Sequence, residues 1–509
     1  MGNYLMGIDN GLTLSKVAIF DLEGREIKVA SRKIEVQYPK PGWTERDMNV
    51  VWQKTAEAIR EVIETSGIAP GDILAIGNSG HGNGLYMLDH DDEVFRPAIA
   101  SMDGRAGELM EEWLLPNGVH DRSFPYILQA VWAAQPSILL AWLKRYEPES
   151  YRRIGKVLLC TDYVKYCLTG EHTTDFCDIS GSSLLYSQKR SYSPDLFDIY
   201  GIPEMLAAMP RPLWGHEIAG KVTPEAAKMT SLAAGTPVSG GLFDIDAAAL
   251  GAGVISDGVL CIVAGTWSIN EVVTAEPIID KRLYQCSLYA VPGMWLTIEA
   301  SATSATNLEW FVSNFCAEEK AEAVARGISV YEVCNEKVGS LAPGSVDIIF
   351  HPYLFGSDVQ ANARAGFYGL GAWHTKTHVL RALYEGVVYG HMHHIAKLRA
   401  AGAKMDVARL TGGGSRSRVW TQMFADALQL PVEVSDGAEV AARGVAMAAG
   451  IGVGVYKDYA EAVVKAVRLE RRQEPNPEHA SAYQARYVEY VGLLEAMKEP
   501  WNRLARLSK

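Results

Sequence analysis

The chain opens with two short apolar runs on either side of a polar turn. Leu5 to Asp9 and Lys16 to Asp21 are strand-like, and the turn between them runs from Asn10 to Ser15. This spacing predicts a β-hairpin. Farther along, Ile73 to Gly77 predicts another strand, which ends in the glycine-rich segment Asn78 to Gly84.

Apolar residues at helical spacing predict the helices that separate these strands. Glu45 to Glu64 is one such stretch, and further helices are expected near 137–146 and 162–168. Late in the chain, Val407 to Leu410 predicts a strand stopped by glycines, and Ser417 to Leu428 predicts the helix that follows it. The C-terminal stretch from residue 475 also has a helical pattern.

From about residue 245 onward the opening pattern repeats. Val259 to Val263 and Ile269 to Val273 are strand-like and flank the small polar turn Ala264 to Ser268. One repeated hairpin is weak evidence for duplication. Strands interleaved with helices nevertheless indicate an α/β fold, and the restart predicts two α/β domains with a cleft between them.

The charge balance limits the classes of partner. The 509 residues include 48 Lys and Arg against 60 Asp and Glu, which gives a formal net charge of −12. Such a chain has no basic field to neutralise the phosphates of a nucleic acid or an anionic membrane surface. A small phosphate ligand stays compatible, because backbone N–H groups and a metal ion can bind it locally.

Seven cysteines occur without any C-x-x-C pair. This argues against a disulfide framework or a structural zinc site and favours a reducing compartment. The N-terminus has no charged region followed by a long apolar one, and no apolar stretch reaches the ~18 residues of a membrane helix. We therefore expect a cytoplasmic protein with no membrane or nucleic-acid partner.

Several common signatures are absent. No Gly-Lys pair is followed by Ser or Thr, so there is no Walker A loop. Residues 77–81 lack the final glycine of a nucleophile elbow. The run from His391 to His394 falls in a predicted long helix, where we expect core or partly solvated histidines rather than a metal site.

The turn Asp9 to Thr13 is open to two interpretations. Its Asn-Gly pair is common in simple hairpin turns. The same residues suit a phosphate cradle, in which backbone N–H groups and the Thr13 hydroxyl face oxyanions while Asp9 holds a metal ion. Gly265 and Thr266 repeat this chemistry in the second hairpin, and two such hairpins can bind a polyphosphate between them.

Two further turns carry candidate chemistry. In the segment 240–246, glycines let the backbone approach a ligand, and a carboxylate after a strand, Asp244, can take a proton from an attacking hydroxyl. Asp244 and Asp246 also suit the simple role of helix N-cap. Residues 412–415 are either a plain loop or a surface against which a flat base can lie.

Taken together, these parts resemble the FGGY carbohydrate kinase family. Ala365 to Glu385 fits the C-terminal signature of that family throughout. Supporting matches are Pro41 to Asp47, Asp162 to Gly170, and the group Asp175, Asp178 and Ser180. The resemblance extends from Asp9 to about Gly450, nearly the whole chain.

The resemblance implies an α/β fold of two actin/Hsp70-like (ribonuclease H-like) domains. Residues 1–246 would form the sugar-binding domain with the first phosphate hairpin, and residues 247–509 the nucleotide-binding domain. Asp244 matches the catalytic base, and Asp9 with Asp244 would hold Mg²⁺. The positions that match the ATP site are Gly11, Thr13, Lys16, Gly265, Thr266, Gly412, Gly413 and Ser415. The positions that match the sugar site are Gly82, Asn83, Asp103, Arg105 and Asp244.

The implied reaction is in-line transfer of the γ-phosphoryl group of ATP to a sugar hydroxyl, with Mg²⁺ offsetting charge on the transferring group. Some positions depart from the commoner pattern of the family. Gly82 and Asn83 stand where glycerol kinases have Arg-Glu and D-xylulose kinases have Met-His, which disfavours both of those substrates. The segments that look most like the L-xylulose kinase branch are 101–105, 299–301 and 303–310.

We therefore expect an ATP-dependent kinase of a ketopentose such as L-xylulose, or of a related keto sugar. One alternative is a polyol kinase for erythritol or a pentitol on the same scaffold. Another is a non-catalytic nucleotide-binding regulator, because the actin-like fold also serves as a switch. The oligomeric state is open, with a homodimer as the commonest default.

Overall fold

The computed structural model describes residues 3–357, 359–360 and 362–507. Its strands are β1 (Tyr4–Asn10), β2 (Leu14–Asp21), β3 (Glu26–Lys33), β4 (Glu45–Arg46), β5 (Ile73–Gly80), β6 (Tyr86–Leu88), β7 (Ala98–Ile99), β8 (Lys156–Leu158), β9 (Thr173–Asp175), β10 (Arg211–Leu213), β11 (Ile218–Lys221), β12 (Pro237–Ser239), β13 (Leu242–Phe243), β14 (Gly258–Ala264), β15 (Ser268–Thr274), β16 (Gln285–Leu288), β17 (Trp295–Ser301), β18 (Ile349–His351), β19 (Gly366–Tyr368), β20 (Met405–Thr411), β21 (Val432–Ser435) and β22 (Leu469–Gln473). Its helices are α1 (Met48–Ser66), α2 (Gly107–Trp113), α3 (Val119–Ile127), α4 (Pro136–Tyr146), α5 (Pro148–Arg152), α6 (Cys160–Thr169), α7 (Phe176–Gly181), α8 (Pro194–Tyr200), α9 (Pro224–Thr230), α10 (Asp244–Gly251), α11 (Thr306–Phe315), α12 (Ala317–Arg326), α13 (Val330–Gly339), α14 (Lys376–Ala400), α15 (Arg418–Leu428), α16 (Val440–Gly452), α17 (Tyr459–Ala466) and α18 (Ala480–Leu507).

The chain forms two compact units. The first comprises Met1–Ile255, Ala275–Leu296 and Asp436–Arg468, and the second comprises Ser256–Thr274, Thr297–Ser435 and Leu469–Lys509. The α/β class predicted from the sequence is confirmed. The assignment of sugar binding to 1–246 and nucleotide binding to 247–509 stays a prediction.

The first unit is built on a seven-stranded sheet with the strand path β11-β12-β5-β1-β2-β3, to which β13 adds by pairing with β5. β1 is antiparallel to β2 and parallel to β5. Met6 and Ile8 face the apolar cluster that includes Val51 and Ile59 of α1. Because side chains alternate along a strand, Gly7 and Asp9 lie on the opposite face of β1.

That opposite face is covered by α16, which glycines allow to lie unusually close. A Cβ atom on Gly7 would lie 1.9 Å from the carbonyl oxygen of Ala442, and one on Gly77 of β5 would lie 2.0 Å from that of Val445. A Cβ on Gly444 would lie 2.0 Å from the carbonyl oxygen of Ala247 in α10. The backbones of β1, β5, α10 and α16 are therefore in direct contact, which fixes the strand end that carries Asp9 and the helix that begins with Asp244.

The second unit repeats the central arrangement of the first. Its sheet follows the path β17-β15-β14-β20-β21-β22, with β14 antiparallel to β15 and parallel to β20. These are the same relations that β1 has with β2 and β5. The hairpin repeat seen in the sequence is thus a repeat in strand topology.

The predicted elements are present, with shifts at their ends. The helix expected to begin at Glu45 begins at Met48, because the Asp47 side chain accepts hydrogen bonds from the backbone N–H groups of Asn49 and Val50. The strand expected to end at Gly77 continues to Gly80 through its pairing with β1. The helix after the glycine turn begins at Arg418, with Ser417 as its cap.

No helix in the described part of the chain is long and apolar enough to cross a membrane. None of the seven cysteines, all of which lie within the described residues, takes part in a disulfide bond.

Candidate active site

Asp9 lies near the end of β1, directly before the first hairpin turn. Its register partners are Lys16 on β2 and Ser79 on β5, and its Oδ1 accepts a hydrogen bond of 2.9 Å from the Ser79 hydroxyl. Burial raises the pKa of the Asp9 carboxyl above its usual value, against the lowering effect of Ser79 and Lys16. The turn itself, residues 11–13, ends in Thr13, whose side chain is exposed.

Lys16 is already engaged in an ion pair. Its Nζ lies 2.9 Å from Oε2 of Glu439, the residue at the N-cap position of α16. The Lys16 side chain is one-third exposed, so the ammonium group is accessible while its charge is shared by Asp9 and Glu439. Sequence reasoning missed Glu439, because nothing local links it to a hairpin so distant in the chain.

Asp244 is the first residue of α10, and Phe243 occupies the N-cap position. Neither Asp244 nor Asp246 is therefore the N-cap that the alternative interpretation expected. Burial raises the pKa of Asp244 to about 8, and the negative charge of Asp9 adds to this effect. A carboxylate with a raised pKa is a stronger proton acceptor than an ordinary aspartate.

Residues 82–84 form a tight turn after β5. Asn83 has φ 59° and Gly84 has φ 76°, a left-handed conformation that Asn tolerates and Gly adopts freely. A Cβ on Gly84 would lie 2.6 Å from the carbonyl oxygen of Ile99, so only glycine fits there. Asn83 is 7% exposed, and its Oδ1 has no hydrogen-bond partner among the described residues.

Asp103 and Arg105 are fully buried and bound to each other. Asp103 Oδ1 accepts from Arg105 Nε at 2.8 Å, and Oδ2 accepts from Arg105 Nη2 at 3.0 Å and from the Thr44 backbone N–H at 2.6 Å. Arg105 Nη2 also donates to Glu45, and the guanidinium lies 4.0 Å over the Trp43 ring. Of the three guanidinium nitrogens of Arg105, only Nη1 lacks a hydrogen-bond partner among the described residues. The Asp103–Arg105 pair therefore mainly joins the 41–46 and 100–105 segments.

A buried polar chain beside the 82–84 turn was not predicted. Arg46 Nη1 donates to the Tyr86 hydroxyl at 3.0 Å, and that hydroxyl lies 3.1 Å from His81 Nε2. Burial and the charge of Arg46 lower the pKa of His81 to about 3, so this imidazole is neutral. In the sequence, only the position of His81 next to Gly82 could have suggested that it lies beside the predicted sugar site.

In the second unit, Gly265 and Thr266 form the tip of the β14–β15 hairpin. Thr266 is exposed, like Thr13. Their carbonyl oxygens accept hydrogen bonds from the next segment, at 2.8 Å from Ala305 N to Gly265 and at 3.2 Å from Ser304 N to Thr266. The Gly265 N–H donates to the carbonyl oxygen of Trp267 at 3.3 Å. The hairpin tip is therefore held by its backbone while the Thr266 side chain stays exposed.

His391 of α14 forms hydrogen bonds to residues of β15 and to Ser304. One ring nitrogen lies 2.8 Å from Asn270 Oδ1 and 3.1 Å from Ser268 Oγ, and the other lies 2.8 Å from Ser304 Oγ. No cluster of three or more His, Cys, Asp or Glu side chains suited to a metal ion occurs among the described residues. The sequence-based interpretation of this run as core histidine is confirmed for His391, which is 1% exposed.

The glycine turn after β20 is exposed at Gly412 and Gly413. Gly412 has φ 79°, and the Ser415 hydroxyl donates to its carbonyl oxygen at 2.8 Å. A Cβ on Gly413 would meet no atom of the described residues within 4 Å, whereas one on Gly414 would lie 2.8 Å from Ala264. Gly413 thus lines open space, and Gly414 packs against β14.

The structure brings the predicted residues together in two groups. Asp9, Lys16 and Asp244 interact within the first unit, and the 265–266 and 412–415 turns lie at the ends of neighbouring strands, β14 and β20, in the second. In a comparison with known protein families, the two halves of the chain match two separate domains of one family. The N-terminal domain of the FGGY family of carbohydrate kinases matches residues 4–251, and its C-terminal domain matches residues 260–453.

The chain belongs to the FGGY family of carbohydrate kinases. The resemblance seen in the sequence is thereby confirmed, and the chain is an enzyme that phosphorylates a carbohydrate. It is 38% identical to a protein named probable L-xylulose kinase from Pasteurella multocida, over 97% of this chain and 99% of that protein. It is 36% identical to the L-xylulose/3-keto-L-gulonate kinase of Escherichia coli, over 98% of both chains.

Solved structures of FGGY kinases share the fold. The xylulose kinase from Rhodospirillum rubrum matches with a TM-score of 0.87 and 28% identity, over 98% of this chain and 100% of that one. This likeness confirms the predicted two-domain, actin-like (ribonuclease H-like) α/β fold of the family.

Proposed function

We propose that this FGGY kinase transfers the γ-phosphoryl group of ATP to a hydroxyl of a ketopentose such as L-xylulose, or of a related keto sugar. The observation that carries the proposal is the Asp9–Asp244 pair. Asp9 lies near the end of β1 and Asp244 begins α10. Burial raises the pKa of both carboxyl groups, and the negative charge of Asp9 raises that of Asp244 further. Names of similar proteins support the sugar class, since one is named probable L-xylulose kinase and another L-xylulose/3-keto-L-gulonate kinase.

The carboxylate pair fits a magnesium ion. The positive charge that lowers the pKa of Asp9 is that of Lys16, which also pairs with Glu439. Mg²⁺ prefers oxygen ligands and takes most of them from phosphates and water, so one or two protein carboxylates suffice. Bound near Asp9 and Asp244, the ion would offset negative charge on the phosphates.

The phosphate contacts of the proposal come from both hairpin tips. Gly11, Thr13 and Lys16 in one unit, with Gly265 and Thr266 in the other, would supply backbone N–H groups, hydroxyls and one ammonium group. The adenosine would lie against Gly412, Gly413 and Ser415. The open space at Gly413 supports this assignment.

The sugar contacts of the proposal come from the first unit. Asn83 Oδ1 and Arg105 Nη1 are buried polar atoms that have no hydrogen-bond partner among the described residues. Such atoms are costly unless a ligand or water satisfies them. The Gly82 backbone would line the same site, and Asp103 would keep Arg105 in place.

Asp244 performs the proton transfer in this proposal. Its carboxylate accepts the proton of the sugar hydroxyl as the hydroxyl oxygen forms a bond to the γ-phosphorus. The bond from that phosphorus to the β–γ bridging oxygen breaks, and ADP leaves with the electron pair. The products are the sugar phosphate, ADP and one proton.

A substrate panel tests the proposed function. Purified full-length protein is incubated with Mg²⁺-ATP and each of several ketopentoses, keto acids derived from hexoses, polyols and glycerol, and ADP release is measured. We expect turnover to be highest with a ketopentose or keto acid. Higher turnover with erythritol or a pentitol would replace the keto sugar by a polyol, and background ADP release with every compound would contradict the proposal.

The homodimer and the cytoplasmic location are also part of the proposal. Light scattering coupled to size-exclusion chromatography distinguishes a dimer from the 55.6 kDa monomer. Fractionation of the producing cells tests the location.

A further inference from the structure

The turn predicted to contact the sugar contains a glycine whose missing side chain is replaced by a ring from another strand. A Cβ atom on Gly82 would lie 2.0 Å from Cε2 and 2.4 Å from Cζ of Phe243. Real Cβ atoms essentially never show such distances, so a side chain at position 82 would require the Phe243 ring to move. The ring stands where a side chain at position 82 would begin.

Strand pairing explains how the two residues meet. β13 pairs with β5 in parallel, with Phe243 opposite Gly80, two residues before Gly82. A Cβ on Gly181, at the end of α7, would lie 3.3 Å from Cε1 and 3.5 Å from Cδ1 of the same ring. Glycines on two elements thus pack against the ring, which is 7% exposed and has little freedom to turn.

The position of the ring ties it to the reaction. Phe243 directly precedes Asp244, the proposed base, and touches the turn that holds Asn83. An aromatic ring offers an apolar surface to the C–H groups of a sugar.

We propose that Phe243 is a specificity-determining residue of the sugar site, where its ring takes the place of a side chain at position 82 and limits the size of the keto sugar. This inference rests on the proposed function, since it assumes that residues 82–83 and Asp244 contact the sugar. The Asn83 Oδ1 atom then accepts a hydrogen bond from a sugar hydroxyl beside the ring.

Removal of the ring tests this role. In Phe243→Ala we expect kcat/KM for the ketopentose to fall by about 10-fold or more, the effect of altering an apolar contact in a substrate pocket. The loss should come from KM for the sugar, with KM for ATP unchanged, and the preference for a ketopentose over a ketohexose should decrease. Phe243→Leu, which keeps apolar volume, guards against a variant that fails to fold and should give a smaller change in the same direction.

A second experiment measures the coupling between positions 82 and 243. Gly82→Ala should lower kcat/KM by about 10-fold or more in the wild-type background, because of the clash, and by much less in the Phe243→Ala background. Gly107→Ala is the control, since a Cβ on Gly107 at the start of α2 would have no neighbour within 4 Å in the described part of the chain. It should leave kinetics unchanged.

The outcomes separate this inference from the proposed function. If the wild-type kinase is active and both Phe243→Ala and Phe243→Leu keep its sugar preference, the role of Phe243 alone is overturned. Equal losses from Gly82→Ala in both backgrounds also overturn it. A wild-type protein that phosphorylates no sugar in the panel contradicts the proposed function itself, and the assignment of Phe243 to a sugar site with it.

Discussion

Individual side chains in the first unit divide into those that hold the site and those that remain available to a ligand. Arg105 belongs mainly to the first class, because it satisfies Asp103 and Glu45 and stacks on Trp43. Asn83 belongs to the second. The sequence analysis predicted both residues in one sugar site. It could not distinguish a residue that holds the site from one that is available to a ligand, because the hydrogen-bond partners of Arg105 include residues far away in the chain.

Arg105→Met removes the guanidinium that joins Asp103 to Glu45. The substitution leaves the buried Asp103 carboxylate without its cationic partner and removes one of the hydrogen bonds to Glu45. The free energy of unfolding should therefore fall by about 3–5 kcal/mol. Urea denaturation measures this change. The control is Arg326→Met, whose ion pairs with Glu322 and Glu336 are exposed and should contribute at most about 1 kcal/mol. Similar losses in both variants would contradict the structural role of Arg105.

At the scale of elements, the periodicity of apolar residues located several helices and strands, including β1, β2, β14, β15 and α15. The close packing of α16 on β1 was not predictable in this way. It depends on Gly7, Gly77 and Gly444 meeting backbone carbonyl groups that lie hundreds of residues away in the sequence. A single sequence shows such glycines but not what they touch.

Gly7→Ala tests this packing. A Cβ there would lie 1.9 Å from a backbone oxygen of α16, so the helix must move away from the strand that carries Asp9. We expect a loss of about 2 kcal/mol or more in unfolding free energy, typical of overpacking, together with lower kinase activity. Gly492→Ala, in an exposed and open position of α18, should instead stabilise the protein by about 0.5–1 kcal/mol.

The histidine of α14 gives a pH-dependent prediction. Burial, with a smaller effect of His394, lowers the pKa of His391 from 6.5 to about 3, and its other neighbours are Asn270, Ser268 and Ser304. Below pH 6.5, His391 binds a proton in the unfolded chain but stays neutral in the folded chain. The folded state therefore loses stability as the pH falls below 6.5. At pH 5 this costs about 2 kcal/mol.

Comparison with His391→Gln isolates that contribution. The decrease in unfolding free energy between pH 7.5 and pH 5 should be about 2 kcal/mol smaller in the variant than in the wild type, as measured by denaturant titration. His393→Gln, a less buried position on the same helix, is the matched control and should leave the decrease unchanged. An equal decrease in all three proteins would show that His391 does not resist protonation.

For the whole molecule, the net charge of −12 means that no long-range attraction brings a polyphosphate to the protein. Two carboxylates in the proposed site add to this repulsion. Binding must therefore depend on local N–H groups, on Lys16 and on a divalent cation. Composition alone argues against nucleic acid as a partner, whereas the compatibility with ATP became visible only through the two hairpins.

Removal of divalent cations should accordingly stop the reaction. With EDTA in excess we expect sugar-dependent ADP release to fall to background, and addition of Mg²⁺ beyond the chelator should restore it. Sodium chloride at the same ionic strength should not restore it, because screening cannot replace a cation bound to phosphate oxygens. Undiminished turnover in EDTA would contradict the proposed metal role of Asp9 and Asp244.

The central claim is that Asp244 accepts the proton of the sugar hydroxyl, and Asp244→Asn tests it most directly. We expect kcat for the best sugar to fall by about 10²–10⁴-fold, while the Kd of the nucleotide, measured by calorimetry, changes by only a few-fold. Asp195→Asn, an exposed acid in the first turn of α8, should be fully active. A fully active Asp244→Asn enzyme would contradict the account.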